Sequence, residues 1–436
     1  MAAQEAQAPV VQDDYALTPV PENERRGFFS ISMVMLGFTF FAASMWTGGS
    51  LGTGLRLWPD LVVTVLAGNL ILGVYGALLG YAASATNLST HILARYAFGV
   101  FGSKLPSFML AVTQIGWFGV GVAMFAYPIN RLTGVPVMPL IVVGGALMTA
   151  TVVIGFKAIE WISRIAVPAI LFLGFWSMAR AFADAGGLPA LMAIVPSKPM
   201  TFAQGVALGV GSFISGATLT PDFVRFSRSR AGGVGATVTG FTFGNSLMFF
   251  FGALGAMATG MADTSEVLAA QGLLGGGIAL LALNIWTTND NALYASGLGL
   301  ANITGRKRTE LTVVAGVAGT LLADFLYNNF TGWLVFLSVS LPPIGGILIG
   351  DFFLKWKGRY PALADAPFRS VNVAAMIAWA VAIGVSSLSP SQGIFCVAPL
   401  NAIVAASLVY VAADRLISGP ARLPARERAA EGRETA

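Results

Sequence analysis

Between Leu273 and Leu300 an apolar segment carries Asn284-Ile285-Trp286-Thr287-Thr288-Asn289-Asp290-Asn291, in which six side chains end in an amide, a hydroxyl or a carboxylate. A polar group in hydrocarbon must find a partner or it costs several kcal/mol. Six in one short stretch exceed what helix packing uses, and they point to a partner that comes and goes: an ion, a solute, or both. At helical spacing Asn284, Thr287, Thr288 and Asn291 follow the i, i+3, i+4, i+7 pattern and form one stripe. Hydroxyl and amide oxygens are hard ligands, and with carbonyls freed by a helix break they suit a small monovalent cation such as sodium. A hydroxyl bonded back to the preceding turn is the ordinary alternative for a single threonine. Asn289 stands about 140° from Asn284 on the same wheel and faces another neighbour. Asp290 points elsewhere again. As an ionisable group at depth it is either a coupling residue or a structural acceptor for amides at a break in the first span.

A second set lies on one face near residue 115: Gln114, Trp117 and Gly121. A glutamine presents a donor and an acceptor side by side, which suits the edge of a flat heterocycle, and tryptophan offers a stacking face. Phe213 could supply the opposite face. No Lys or Arg falls in the middle of any apolar segment, so a neutral planar solute fits these residues better than an anion does.

The elements that must position these groups are spanning helices. The chain has 436 residues, 56% hydrophobic and only 10% charged, where soluble domains carry about a quarter charged. Long apolar runs exclude a β-barrel, whose strands alternate. Twelve spans are expected: 28–52, 58–86, 103–130, 137–155, 159–184, 203–226, 233–261, 266–301, 310–327, 330–354, 371–388 and 394–416. With a cytoplasmic N-terminus, only Arg56, Arg131, Arg180 and Lys198 fall outside. The positive-inside rule therefore puts both termini in the cytoplasm, and the net charge of +5 needs no nucleic acid. Arg225, at the end of span 6, counts among the cytoplasmic charges in that assignment. Residues 1–24 and 417–436 read as cytoplasmic tails, and residues 1–22 lack the apolar core of a signal peptide.

Two segments look like broken helices: Ser44 to Gly54 in span 1 and Gly209 to Thr220 in span 6, both rich in glycine and hydroxyls and five spans apart. Matched interruptions of this kind mark transporters built from inverted repeats, with the site near the midplane. One cysteine, Cys396, and one histidine, His91, are too few for a zinc or haem site. Cys396 is expected to be a buried packing residue, and His91 to sit near Arg95 at the cytoplasmic end of a helix. An intramembrane enzyme lacks a nucleophile–base pair, and a channel is the other class left open.

Several stretches carry a family resemblance: Phe40 to Gly49, Thr113 to Gly121, Val210 to Ser215, Asp222 to Phe226 and Asn284 to Tyr294. The chain resembles the nucleobase–cation symporters of the NCS1 class, within it most of all the bacterial cytosine permeases, over nearly all of residues 25–416. The resemblance implies an all-α membrane protein with a five-plus-five inverted-repeat (LeuT-like) core. The first repeat would cover 25–184, the second 203–354, and two additional helices 371–416. It implies sodium-coupled cytosine uptake at the bacterial inner membrane, by a protein working as a monomer among lipids and not as an enzyme. Uracil, a purine, allantoin, a hydantoin or a hydroxymethylpyrimidine remain alternative cargoes, and a proton an alternative coupling ion. The base is implied to lie between Trp117 and Phe213, with Gln114, Ser212, Ser215 and Asn289 at its polar edge. Sodium is implied to lie between carbonyls near Gly37 and Phe41 and the side chains of Asn284, Thr287 and Thr288. Asp290 and Asn291 stay as coupling or structural residues.

Overall fold

The computed structural model describes residues 15–154, 156–196, 199–390, 393 and 396–418. The described residues form helices and connecting segments, with a single isolated bridge between Arg26 and Ser227. In chain order the helices are Phe28–Thr39 (α1), Ala42–Gly54 (α2), Val62–Thr86 (α3), Thr90–Phe98 (α4), Lys104–Thr133 (α5), Val137–Val152 (α6), Phe156–Ala185 (α7), Leu188–Ala193 (α8), Phe202–Thr218 (α9) and Thr220–Val224 (α10). There follow Arg230–Val238 (α11), Ser246–Thr259 (α12), Thr264–Ala270 (α13), Leu274–Thr304 (α14), Arg308–Asn328 (α15), Phe330–Ser340 (α16), Pro342–Ile349 (α17), Val373–Ser387 (α18) and Ala398–Ser418 (α19). Wide π turns extend α3 backwards to Leu57, join α11 to α12, and continue α17 to Lys355.

Among the described residues seven helices are long and apolar enough to cross a membrane, or eight if the bent pair α1–α2 is one span. Helices α6 and α18 are apolar but shorter. Helix α14 has the length, at 31 residues, and its polar run lowers its hydropathy. A helical segment stands at each of the twelve expected spans, with shifted ends; the eighth starts at Leu274, after the separate short helix α13. Of the expected tails, residues 1–14 and 419–436 lie outside the described residues.

The expected break in span 1 is displaced, and that in span 6 falls at the end of the expected stretch. Span 1 bends by 54° between α1 and α2, at Phe40-Phe41, while the glycine-rich stretch from Ser44 to Gly54 is helical. The glycines there serve packing. A β-carbon on Gly48 or Gly52 would lie 2.1 and 2.4 Å from the carbonyls of Phe249 and Ala253, so α2 and α12 cross backbone against backbone. In span 6 the stretch from Gly209 to Thr218 is likewise helical, and the helix turns at Leu219, before Pro221.

Helix α14 packs against α5, α7, α15, α6 and α1, which makes it the central element of the site. Helix α9 packs against α3, α16 and α2. The space between α1, α5, α9 and α14 is where the polar residues meet.

Candidate functional site

The break in span 1 creates the first part of the site. After Thr39 the backbone leaves helical geometry at Phe40 (ψ 84°) and Phe41 (φ −127°, ψ 136°). Carbonyls of the last turn of α1 lose their helical partners and must be satisfied from the side. Helix α14 does this. Thr288 Oγ lies 3.3 Å from the Gly37 oxygen, 3.5 Å from that of Phe38, 3.3 Å from that of Phe40 and 3.5 Å from that of Asn284. Asn284 Nδ2 donates to the Phe40 carbonyl, and its buried Oδ1 has no protein partner. One hydroxyl has one proton to give, so four carbonyl oxygens around it form an electron-rich cage of neutral ligands. Phe40 supplies the oxygen expected from Phe41, whose own carbonyl accepts from the amides of Ser44 and Met45 at the start of α2.

The stripe on α14 divides. Thr287 Oγ donates back to the Asn284 carbonyl at 2.8 Å, and Asn291 Nδ2 donates to the Thr287 carbonyl at 2.9 Å. These two residues support the helix beside the cage, with Thr287's lone pairs left to accept. Among the described residues no cluster of three or more His, Cys, Asp or Glu could hold a metal ion. An ion at the cage would be held by uncharged oxygens, which suits a monovalent cation.

One residue further along α14 the second part begins. Gln114, Trp117, Ser212, Phe213, Ser215 and Asn289 line one closed-down cavity of about 10 Å³, with Phe38, Phe41, Gly216, Thr288 and Ala292 completing the wall. Trp117 is braced by the edges of Phe41 (5.8 Å, 71°) and Phe330 (6.2 Å, 75°), and Phe213 by those of Phe38 (5.1 Å, 82°) and Phe241 (5.5 Å, 70°). Trp117 Nε1 donates to Ser215 Oγ at 2.9 Å, and Ser212 Oγ to the Gly209 carbonyl at 2.8 Å. Asn289 Nδ2 donates to the Phe118 carbonyl (3.2 Å) and to Met148 Sδ (3.1 Å). Two buried polar atoms of the lining have no protein partner: Gln114 Nε2, a donor, and Asn289 Oδ1, an acceptor. Such atoms cost about 1–3 kcal/mol each unless a ligand meets them.

Gly121 was legible on the face of Gln114 and Trp117, and the structure gives it a role. A β-carbon there would lie 1.9 Å from Asn289 Oδ1. Phe38, Gly216 and Ala292 carry no polar signal in the sequence and were missed as lining residues. Every one of the six expected pocket residues is at most 5% exposed, so a ligand enters only if a wall moves.

Asp290 does not take the expected structural position at the span 1 break. Its carboxyl lies 2.9 and 3.0 Å from Thr151 Oγ on α6, not at the amides of the span 1 break. His91 is fully buried on α4, 3.1 Å from Ser107 Oγ and 3.6 Å from Asp222 Oδ2. Burial holds its pKa below the ordinary value of 6.5, against the opposing pull of the Asp222 carboxylate. Cys396 is partly exposed, where a buried position was expected. Arg225, expected as a charge at the cytoplasmic end of span 6, is wholly buried, donating to the Tyr15 carbonyl at 2.6 Å and to Tyr294 OH at 3.2 Å.

The sequence model of a family described as "Permease for cytosine/purines, uracil, thiamine, allantoin" matches residues 19–408. The chain belongs to this family of nucleobase–cation symporters. It is 50% identical over 406 residues to the cytosine permease of Escherichia coli K12, covering 93% of this chain and 95% of the relative. To the hydantoin permease of Microbacterium maritypicum it is 25% identical, over 90% of this chain and 86% of that one. Its fold is similar to that of Mhp1, a nucleobase-cation-symport-1 family transporter solved in a closed conformation with bromovinylhydantoin bound. That match has a TM-score of 0.78 at 23% identity and covers 92% and 94% of the two chains. A sodium-coupled sialic acid symporter shares the fold at TM-score 0.69 and 12% identity, over 95% and 94%. The protein is thus a multi-pass membrane transporter for nucleobase-type solutes, with the inverted-repeat architecture of these symporters.

Proposed function

We propose that this permease imports cytosine by symport with sodium, through alternating access. The observation that carries the reading is the adjacency on α14 of two unlike sites. Thr288 stands in a cage of carbonyl oxygens, and its chain neighbour Asn289 offers an unpartnered acceptor to an aromatic slot. The slot's stacking rings, its donor on Gln114 and its acceptor on Asn289 match a small neutral heterocycle with amide-like edges. The relative at 50% identity is a cytosine permease, which favours cytosine over other bases. Sodium is cargo here. Asn284, Thr288 and the Gly37, Phe38 and Phe40 carbonyls are the ligands that fit it, with Thr287 alongside.

Both termini are assigned to the cytoplasm, in the bacterial inner membrane, on the distribution of Lys and Arg. The outer wall of the slot is then an aromatic layer: Trp46 stacked on Phe330 (4.3 Å, 13°) and Tyr127 on Tyr327 (4.3 Å, 8°), with Tyr327 OH donating to Asp263 Oδ2 at 2.6 Å. The inner wall is Phe38 against Phe213 and Phe223, with Tyr75 OH 2.7 Å from Thr218 Oγ below it. Opening one layer while the other stays shut gives access to one side at a time.

The test is uptake of radiolabelled cytosine into proteoliposomes. Uptake should saturate, collapse when external sodium is replaced by choline, and be competed most strongly by cytosine in a panel of bases. Thr288→Ala should raise the sodium concentration for half-maximal uptake several-fold. Uptake indifferent to choline would sink the coupling, and stronger competition by another base would reassign the cargo.

A further inference from the structure

The geometry points to a binding site for one phospholipid of the phosphatidylethanolamine type in the groove between α6 and α15. One acyl chain lies along the groove, and the headgroup is held at its cytoplasmic end. Such a site is independent of which base is carried; its inward end follows from the orientation assigned above.

The groove is built by two matching stripes. It is lined from Val142 to Val153 on α6 and from Val313 to Leu321 on α15, at i, i+3, i+4 spacing on each, and it encloses about 470 Å³. Its floor is a direct contact of the two helices. A β-carbon on Gly145 would lie 2.2 Å from Thr320 Oγ, and one on Gly316 2.2 Å from Thr149 Oγ. Both threonines donate back to their own helices, to the Gly145 and Gly316 carbonyls, at 2.7 Å, so the floor keeps no free donor. The contacts of 145 with 320 and of 149 with 316 set an antiparallel register. Val153 and Val313 therefore stand at one end of the groove, and Val142 and Leu321 at the other. From Val142 to Val153 the helix rises about 16 Å, the depth of one leaflet of a hydrocarbon core about 30 Å thick. Helix α15 runs on past Leu321 to Asn328, so the groove stops short of the outer face. An acyl chain of one leaflet has this length, whereas a helix of a second copy would cross the whole bilayer.

The mouth supplies the selectivity. A lipid tail that leaves the bilayer for an apolar groove gains packing alone, since the tails are as apolar as the groove. What can retain one lipid is the charge beside its headgroup. At the cytoplasmic end the turn between α14 and α15 exposes Arg306 and Lys307, and Glu310 is exposed on the first turn of α15. Among the described residues none of the three forms an ion pair. Arg308 is not part of the mouth: it is buried, with its guanidinium 4.8 Å from the centre of the Tyr294 ring. Glu310 precedes Val313 by one turn, on the stripe that lines the groove. Two cations and a carboxylate so close together suit a headgroup that carries both signs. The phosphate meets Arg306 and Lys307, and a primary ammonium donates to Glu310. A choline headgroup has no proton to donate, and a glycerol headgroup has no positive charge to offer.

The experiment takes the purified full chain, stripped of lipid in detergent, and titrates it with palmitoyl-oleoyl phosphatidylethanolamine, phosphatidylglycerol or phosphatidylcholine. Native mass spectrometry counts the bound lipid, and the unfolding temperature follows its effect. One phosphatidylethanolamine should be retained per chain, roughly tenfold more tightly than phosphatidylcholine, by the value of one hydrogen bond to a charged group, and more tightly than phosphatidylglycerol. Glu310→Gln should bring phosphatidylethanolamine down to the phosphatidylcholine level without weakening phosphatidylglycerol. Arg306→Gln/Lys307→Gln should weaken all three, about fivefold for each cation lost from the phosphate. Ala146→Phe fills the groove from an exposed position and should abolish retention of all three. Equal retention of the three lipids by the wild-type chain, tightest binding of phosphatidylglycerol, or a phosphatidylethanolamine preference that survives Glu310→Gln would each overturn the proposal. A dimer mass that Ala146→Phe abolishes would overturn it too, and give the groove to a second copy of the chain.

Discussion

Replacing Gly121 by alanine should destroy base binding and spare the cation. The added β-carbon would lie 1.9 Å from Asn289 Oδ1, 2.6 Å from its Cγ and 2.7 Å from its Nδ2. Relief requires the amide to move by about 1 Å, a displacement that costs near a hundredfold where geometry is tight. The amide cannot swing away freely, because Nδ2 is held by the Phe118 carbonyl and Met148 Sδ. Moving it breaks at least one buried hydrogen bond and misplaces the acceptor for the base. At about 1–3 kcal/mol per lost buried partner, the expected loss of cytosine affinity is roughly 30-fold or more. The cage should be untouched, since Thr288 and Asn284 lie on other faces of α14. The assay is equilibrium binding of radiolabelled cytosine to purified protein at saturating sodium, paired with a sodium titration by thermal shift in the absence of base. Gly384→Ala is the control: it sits within α18 with nothing inside 4 Å of the new carbon, and alanine there favours the helix by up to about 1 kcal/mol. An unchanged cytosine affinity in a folded Gly121→Ala protein would refute the placement of Asn289 at the base edge. An equal loss of sodium affinity would show that the two sites are not separable in this way.

Trp117→Ala removes one stacking face and the donor to Ser215, and should weaken cytosine binding roughly tenfold to a hundredfold by the value of one base–aromatic stack; Trp117→Phe should recover part of this in the same binding assay, and equal affinity of all three proteins would remove the stacking claim. His91 gives a pH dependence. Its folded pKa lies below the ordinary 6.5 because burial disfavours the charge, so the unfolded chain binds the proton first and stability falls as pH drops below about 6.5. The unfolding temperature in detergent should decline from pH 7 to 5.5, and His91→Gln should flatten that decline; an unaltered slope would assign it to other groups.

Hydropathy and helical periodicity made the spans and both polar faces legible, because each depends on spacing within one helix. The break in span 1 was misplaced for a physical reason. Glycine and serine in a membrane helix serve close approach as readily as they serve a bend, and Gly48 and Gly52 are spent on contact with α12. The real break, Phe40-Phe41, contains neither glycine nor proline. It is held open by partners from a segment some 250 residues away, where Asn284 and Thr288 take up its carbonyls. Thr151 is the same lesson. Nothing local to α6 distinguishes it from a threonine bonded back to its own helix, and its meaning comes from Asp290 and Trp286 across the interface. Arg225 was counted as a cytoplasmic charge at the end of span 6, whereas the segment at Tyr15 folds back over it. What one chain segment does to another at long range is written in no window of the sequence.

In the proposed symport, coupling between ion and base would follow from which atoms the two sites share. Phe38 contributes its carbonyl to the cage around Thr288 and its ring to the wall of the slot, where it braces Phe213. Phe41 follows the bend directly and braces Trp117 from the other side. Converging carbonyls repel one another, so without a cation the end of α1 gains by moving away from α14; a bound cation reverses that sign and draws the break inward. The same movement sets the edges that hold both stacking rings, so in the proposed symport the cation would assemble the slot without touching the base. The base in turn holds those rings and opposes the withdrawal of α1. Each ligand must then strengthen the other by the same factor, and the factor should depend on the span 1 break more than on the distance between the sites. A transporter built this way needs no charged relay between ion and cargo, which fits a site whose one nearby carboxyl is turned toward α6.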